Sequence, residues 1–277
     1  MDSRGNLDVW QRSAKVWKLV AASPQRPVEE DGRLMLRLAS PVLAGQLAPG
    51  VLVLGVTPEI VQLPWPAGTT LTALDHSADM IASLWRPNAR IDSRVARARW
   101  QSMPVKEGST SLVAGDGSLN TLPSLRDYPD VLAELVRVLR PGGRLVLRCF
   151  LRPEQQEPIE AVAAAAFSGG IRSFSALKWR IAMALDGGSS FSVAVADIRA
   201  AFDRLFPDRD RLARASGWEL RTLNAIDNYK DLATRFNFPT LTAMRAAVAP
   251  GFELAEVCHG HYELAGQCPT LLFQRTA

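Results

Sequence analysis

Residues 49–75 read PGVLVLGVTPEIVQLPWPAGTTLTALD. An apolar run, Val51–Leu54, meets a turn residue at Gly55. A helix start follows at Thr57-Pro58-Glu59, and a second apolar run ends on Asp75. The glycine and the acid stand 20 residues apart. That is the spacing a nucleotide-binding βαβ unit requires. The first strand carries the chain to the carboxyl edge of a parallel sheet, and the glycine lets backbone approach a ligand. The acid ends the second strand, where one carboxylate can accept hydrogen bonds from both hydroxyls of a ribose. The glycine pattern is incomplete. Where G-x-G-x-G would stand, the chain has Gly55-Val56-Thr57-Pro58-Glu59.

The alternation continues downstream. Strands are expected at 51–55, 70–75, 94–99, 110–115 and 143–150, and helices at 58–63, 77–86 and 127–139. Strands alternating with helices imply a doubly wound, mostly parallel α/β sheet. Arg140-Pro141-Gly142-Gly143 predicts a sharp stop between a helix and the strand after it, because proline cannot continue the helix and glycine accepts a left-handed turn. Upstream, Val9, Trp10, Ala14, Trp17 and Val20 recur at helical spacing over 7–21, with both tryptophans expected to pack that helix onto the body. A proline-restricted loop over 23–31 leads to a second helix over 30–46. Residues 151–250 read as helices at 157–167, 174–185 and 194–206 that cap the site, and 252–262 and 270–275 as two terminal strands. The expected organisation is a single domain in four parts: an N-terminal helical segment (1–48), a ligand-binding core (49–150), a helical cap (151–250) and a terminal hairpin (251–277).

Composition removes several function classes. The chain has 277 residues, 22% of them charged, and a net charge of +4. That excess is dispersed, mostly as arginine, with no block of five like charges and no groove-reading motif, which argues against a nucleic-acid partner. Cys149, Cys258 and Cys268 lack metal spacing, and an odd number does not close into disulfides, which fits a reducing cytoplasm. The N-terminus, MDSRGNLDVWQRSAKVW, is too polar for a signal peptide. No apolar run reaches the roughly 18 residues of a membrane span. His259 and His261 alternate within the expected terminal strand but have no third ligand nearby, so no metal site is expected. Monomer and homodimer both remain open.

Four pieces in order give the chain a family resemblance. VLVLGVTPE, LTALDHSADMI, RWQSMPVKEGSTSLVAGDGSLNTL and ELVRVLRPGGRLVLRCF resemble successive segments of the class I S-adenosylmethionine-dependent methyltransferases, a Rossmann-like family whose sheet ends in an antiparallel hairpin. The last piece, with its L-R-P-G-G-x-L-V-L pattern, is the most specific. The resemblance implies S-adenosylmethionine as cofactor, S-adenosylhomocysteine as product and a role for each matching residue. Gly55 would lie against the methionine or ribose portion, and Asp75 would hold the ribose. His76, Ser77 and Met80 would follow it, with Met80 packing on the adenine. Trp100 and Gln101 would lie near the adenine edge. Asp116 and Gly117 would face the methyl group or the amino end.

Each role has a plainer counterpart. A strand-to-helix turn favours glycine without any ligand. Trp100 could be core, Asp116-Gly117 could be simple turn chemistry, and Glu59 could serve a helix dipole. The chain departs from the family at Val53, where a first-strand acid is usual, at Thr57 and Glu59, where glycines are usual, and at Arg99, where an acid often meets the adenine. Thr57 is expected to cap the next helix with Pro58 in its first turn, and Glu59 or Asp116 to take over the cofactor's ammonium group. No Asn-Pro-Pro-Tyr or Pro-Cys element of DNA methylation is present, so the expected acceptor is a small molecule, which Tyr229 or Tyr262 could reach. No catalytic base is assigned. Two alternatives stand beside this reading: a non-catalytic relative that binds S-adenosylmethionine as a regulatory subunit, and an NAD-dependent oxidoreductase.

Overall fold

A computed structural model describes residues 22–185 and 187–276; the expected helix over 7–21, with Trp10 and Trp17, lies outside them. The first described helix, α1 (Glu29–Leu43), opens where the Val28 N–H donates to the Asp31 carboxylate at 2.8 Å. Its buried face, formed by Met35, Leu38, Ala39, Val42 and Leu43, packs on the sheet. It ends short of residue 46, two residues past Pro41, a residue that supplies no N–H to the helical ladder.

Seven strands form one sheet: β1 (Gly50–Leu54), β2 (Thr70–Asp75), β3 (Asp92–Arg97), β4 (Thr110–Asp116), β5 (Leu139–Arg148), β8 (Phe252–Cys258) and β9 (Thr270–Arg275). Their order is β3-β2-β1-β4-β5-β9-β8. The first five are mutually parallel, and β9 runs antiparallel to both β5 and β8. Val51–Leu54, Leu112–Ala114 and Leu145–Leu147 are all buried, as central parallel strands covered on both faces require. The chain reverses direction across the sheet between β1 and β4, and that switch point opens a crevice at the strands' carboxyl ends.

The connecting helices α2 (Pro58–Val61), α3 (Ala78–Leu84) and α4 (Tyr128–Val138) fall within the expected spans. α2 is a single turn, stopped short by Pro64 and Pro66. β3 begins two residues before its expected start because all of β2, Thr70 to Asp75, pairs with Asp92 to Arg97. The Pro141-Gly142-Gly143 turn is not a break before β5 but a bulge inside it. The strand pairs Thr110 with Leu139 and then Leu112 with Arg144, and Gly142 takes the positive φ of 73° that the bulge needs. The last strand before the C-terminal hairpin turn stops at Cys258, so His259 and His261 lie in a turn rather than alternating on a strand, and the His261 ring nitrogen meets Glu30 at 2.6 Å.

The region after β5 contains more than helices. α5 (Ile159–Phe167), α6 (Phe174–Ala184), α7 (Val195–Leu205), α8 (Arg209–Ser216) and α9 (Leu220–Asn224) are joined by a small antiparallel ribbon, β6 (Ser192–Ala194) with β7 (Arg235–Asn237), before α10 (Leu241–Val248) returns to the main sheet. Three-residue strands leave little pattern in a sequence. The ribbon is held by amides. Asn237 donates to the carbonyls of Leu119 and Leu122 at 2.8 Å and accepts from the Tyr128 hydroxyl at 2.8 Å. Asn120 donates to the Phe150 and Asn237 carbonyls and accepts from the Phe150 N–H. This satisfied, buried network fixes cap to core.

Arg148, at the end of β5 and wholly buried, joins still more distant parts. Its guanidinium donates to Asp116 at 2.7 Å, to the Pro24 carbonyl at 2.6 Å and to the Tyr262 hydroxyl at 3.1 Å, and stands 3.2 Å from Asp31. Tyr262 in turn donates to Asp31 at 2.8 Å. Removing the arginine strands two carboxylates in the interior. Arg148→Met is therefore expected to cost about 3–5 kcal/mol of stability in urea denaturation, against about 1 kcal/mol for Tyr262→Phe. A loss under about 1 kcal/mol for Arg148→Met would show that the cluster does not hold the fold.

Candidate functional site

A cavity opens at the switch point between β1 and β4, with about 1230 Å³ of atom-free space, part of it open to solvent. Its floor is the carboxyl ends of the parallel strands, and its roof is the region after β5.

The strand tips supply the polar floor. Gly55 follows β1 at φ 99°, a conformation that strains any residue with a Cβ. A Cβ built there would lie 3.9 Å from Asp75 Oδ2, so the bare glycine faces the carboxylate at the tip of the neighbouring strand. The other carboxylate oxygen, Oδ1, accepts the Ser77 N–H at 2.8 Å. Asp75 is thus fixed by one oxygen while the other faces Gly55. Ser77 itself is buried and caps α3 by accepting the Met80 N–H at 3.2 Å, which aims Met80 and Leu84 at the cavity. Trp100 lines the wall with its indole N–H donated to the Leu74 carbonyl at 2.9 Å. Asp116 ends β4, and Gly117 follows at φ 59°, where a Cβ would overlap the Phe150 ring at 2.4 Å.

Of the residues the sequence singles out, Gly55, Thr57, Asp75, His76, Met80, Trp100, Asp116 and Gly117 meet on this cavity. Ser77, Gln101 and Glu59 are not on its wall: Ser77 acts from beneath, and Gln101 is exposed in the turn after β3. Two expectations about the degenerate loop are corrected. Thr57 precedes α2 but makes no side-chain cap, and the residue lines the cavity instead. Glu59 is not waiting for an ammonium group, because Arg26 holds one of its oxygens in an ion pair. Its other oxygen, Oε2, is buried without a partner. Asp116, the other candidate for that role, is paired with Arg148.

The roof brings residues that no sequence motif marks. Gln25, on the segment before α1, donates to the Tyr229 hydroxyl at 3.5 Å. Phe150, Lys178, Trp179, Phe236 and Phe238 complete the wall. Tyr229 reaches the cavity, whereas Tyr262 is committed to Arg148 and Asp31. Lys178 and Trp179 fall within the helix expected over 174–185, and only the fold places them on the cavity.

Comparison with known proteins bears on this geometry. Residues 52–147 match the family model described as a methyltransferase domain, a span running from β1 to the end of β5. Among solved structures, the CcbJ methyltransferase of Streptomyces caelestis aligns over 98% of this chain and 99% of its own, at 15% identity and a TM-score of 0.58. A Rhodobacter sphaeroides protein described as a Zn-dependent alcohol dehydrogenase aligns over 100% of both chains at 14% identity, also with a TM-score of 0.58. At such identities the two share a fold with this chain. No curated protein matches the sequence. Among the described residues there is no cluster of three or more His, Cys, Asp or Glu side chains that could hold a metal ion, and no helix long and apolar enough to cross a membrane.

Burial sets the electrostatics of the floor. Asp75 is pushed up to about 6 by burial, with the Ser77 and His76 N–H groups pulling the other way. Asp116 is also pushed up to about 6 by burial, with Arg148 opposing. His76 is lowered, first by burial and then by Arg99 and Arg97, so it is neutral at pH 7. An acid whose folded pKa lies above its ordinary 3.8 binds protons more tightly when folded. Its contribution to stability is then present below about 3.8 and lost as pH rises through about 6. Asp75→Asn keeps an oxygen for the Ser77 N–H and cannot ionise. The ligand-free variant is therefore expected to gain thermal stability relative to the native protein as pH rises from about 4 to about 7. Differential scanning fluorimetry reads this directly; a difference that is flat with pH would contradict it.

Proposed function

We propose that the chain, which shares its fold with a methyltransferase and matches a methyltransferase domain model over residues 52–147, is a class I S-adenosylmethionine-dependent methyltransferase that methylates a small molecule held under its roof. The carrying observation is Asp75, fixed at the tip of β2 by the Ser77 N–H with its second oxygen turned toward a glycine at positive φ. That pairing of carboxylate and bare backbone suits a ribose diol at the switch point.

The residues present fit S-adenosylmethionine. Asp75 would accept from the two ribose hydroxyls. Met80 and Leu84 offer an apolar and polarisable surface to the adenine. At the methionine end, Asp116 is the carboxylate on the cavity wall, held there by Arg148. When bound, the cofactor supplies a methyl carbon made electrophilic by its sulfonium.

The chain's own contribution is placement. Val56, Phe150, Trp179 and Phe238 are buried apolar walls that exclude water and hold an acceptor in line with the methyl group. Orientation of this kind supplies much of the rate of a transfer whose acceptor is already nucleophilic. The anchored strand tips keep that geometry fixed before any ligand arrives.

Titration calorimetry with S-adenosylmethionine and S-adenosylhomocysteine tests the reading. Both are expected to bind, and Asp75→Ala is expected to weaken both by at least about tenfold, since it removes charge-assisted hydrogen bonds. No binding of either at millimolar concentration would overturn the proposal. Binding with no turnover across a broad acceptor panel would instead make the chain a non-catalytic relative.

A further inference from the structure

Along the carboxyl edge of the sheet the strands stand in the order β2, β1, β4, β5. Asp75 ends β2, Gly55 follows β1, Asp116 ends β4, and Phe150 lies two residues past β5. Neighbouring strands lie about 4.8 Å apart, so Asp116 stands two strands, about 10 Å, from the ribose acid. On its far side it adjoins the roof: a Cβ on the next residue, Gly117, would come within 2.4 Å of the Phe150 ring. A ligand with its ribose on Asp75 carries its sulfur on the adjoining 5′ carbon. Extended across β1, that end of the ligand runs toward Asp116.

The two oxygens of Asp116 differ. Oδ1 accepts from Arg148 at 2.7 Å, which fixes the carboxylate. Oδ2 accepts no hydrogen bond among the described residues, yet it is not one of the unpartnered side-chain atoms that are sealed from solvent. It is therefore an open, unspent oxygen on a side chain that lines the cavity. Arg148 does not neutralise it fully, because the same guanidinium stands 3.2 Å from Asp31 and serves two acids. One oxygen held and one free is the arrangement a positioned proton acceptor needs.

From this juxtaposition we propose that Asp116 is the catalytic base: its free oxygen stands at the reacting centre and takes the proton that a hydroxyl or amine acceptor loses on methylation. A lone pair on the acceptor's oxygen or nitrogen forms the bond to the methyl carbon. The carbon–sulfur bond breaks and leaves its pair on sulfur, which loses its positive charge. The acceptor's proton passes to Oδ2 and from there to water. The surroundings suit the task. Burial pushes Asp116 up to about 6, with Arg148 opposing and Asp31 and Glu59 adding to the rise. It is thus ionised at pH 7 and close to the range in which a base works best. Cys149 and Cys268 beside it are neutral thiols, raised by burial. Lys178 and Tyr229 line the same cavity from the roof, and burial pushes the Tyr229 hydroxyl up to about 12.

The inference rests on the cofactor reading, and its test keeps the two apart. S-adenosylmethionine and S-adenosylhomocysteine share adenine, ribose and amino-acid groups, and differ only in the methyl group and the charge on sulfur. A carboxylate at the reacting centre favours the first, whereas Asp75, or any group at the ammonium, acts on both alike. Calorimetry with both ligands from about pH 4.5 to about pH 7.5 reads the ratio of their affinities. In the native protein the ratio is expected to rise at least about fivefold toward S-adenosylmethionine over that range, as Asp116 ionises. Asp116→Asn keeps an oxygen for Arg148 and cannot ionise. It is expected to hold the ratio at the native low-pH value. Its affinity for S-adenosylhomocysteine is expected to stay within about threefold of native, which shows that the variant is folded. On each acceptor that the panel shows to be methylated, it is expected to lower kcat about 100-fold or more.

A native ratio that is flat with pH would overturn the proposal while the cofactor reading stands, and that measurement needs no variant. An Asp116→Asn protein that weakens both ligands equally would overturn it too, by placing the carboxylate at the ammonium instead. So would a kcat within about threefold of native. Binding with no turnover, or failure of both ligands to bind the native protein, would remove the base together with the function it serves.

Discussion

The buried guanidinium of Arg148 is the constraint on which the site depends. It gathers α1 through Asp31, the segment before α1 through the Pro24 carbonyl, β4 through Asp116 and the terminal hairpin through Tyr262. A wholly buried charge is tolerated only when each of its donors has a partner. Satisfying it therefore forces four remote segments to the carboxyl edge of the sheet. One of them, Asp116, belongs to the cavity floor. Another brings Gln25 to the cavity wall and Arg26 to Glu59. The pocket's floor and part of its mouth are by-products of solvating one arginine with protein.

This also gives the degenerate loop a physical meaning. In a glycine-rich loop, backbone alone lies against the ligand. Here Val56 turns into the core, Pro58 opens a one-turn helix, and Glu59 is drawn aside by Arg26. One glycine remains where the backbone needs a positive φ, and Thr57 lines the cavity. The loop keeps the single conformational requirement of the turn and replaces the rest with side chains tied to a neighbouring segment.

Much of the floor was legible before the fold was known, because its residues sit at strand tips whose spacing follows from βαβ geometry. Gly55, Asp75 and Asp116 are fixed by the lengths of strand and helix between them. The roof was not legible. Lys178 and Trp179 belong to a helix whose sequence carries no motif, and they face the cavity only because the Asn120 and Asn237 amides dock the ribbon onto the core. Arg148 stands in an apolar strand pattern, and its partners are as far as 124 residues away, beyond the reach of any local rule. Glu59 was read as a ligand group because its partner, Arg26, lies 33 residues upstream in a loop.

The central claim is that Asp75 and Gly55 form the ribose site at the β1–β4 switch point. A crystal structure with S-adenosylhomocysteine tests it most directly. The account predicts both ribose hydroxyls within hydrogen-bond distance of the Asp75 carboxylate, with the adenosyl backbone path passing the bare face of Gly55. A ribose placed elsewhere, with the Asp75 carboxylate making no contact to the ligand, would contradict it.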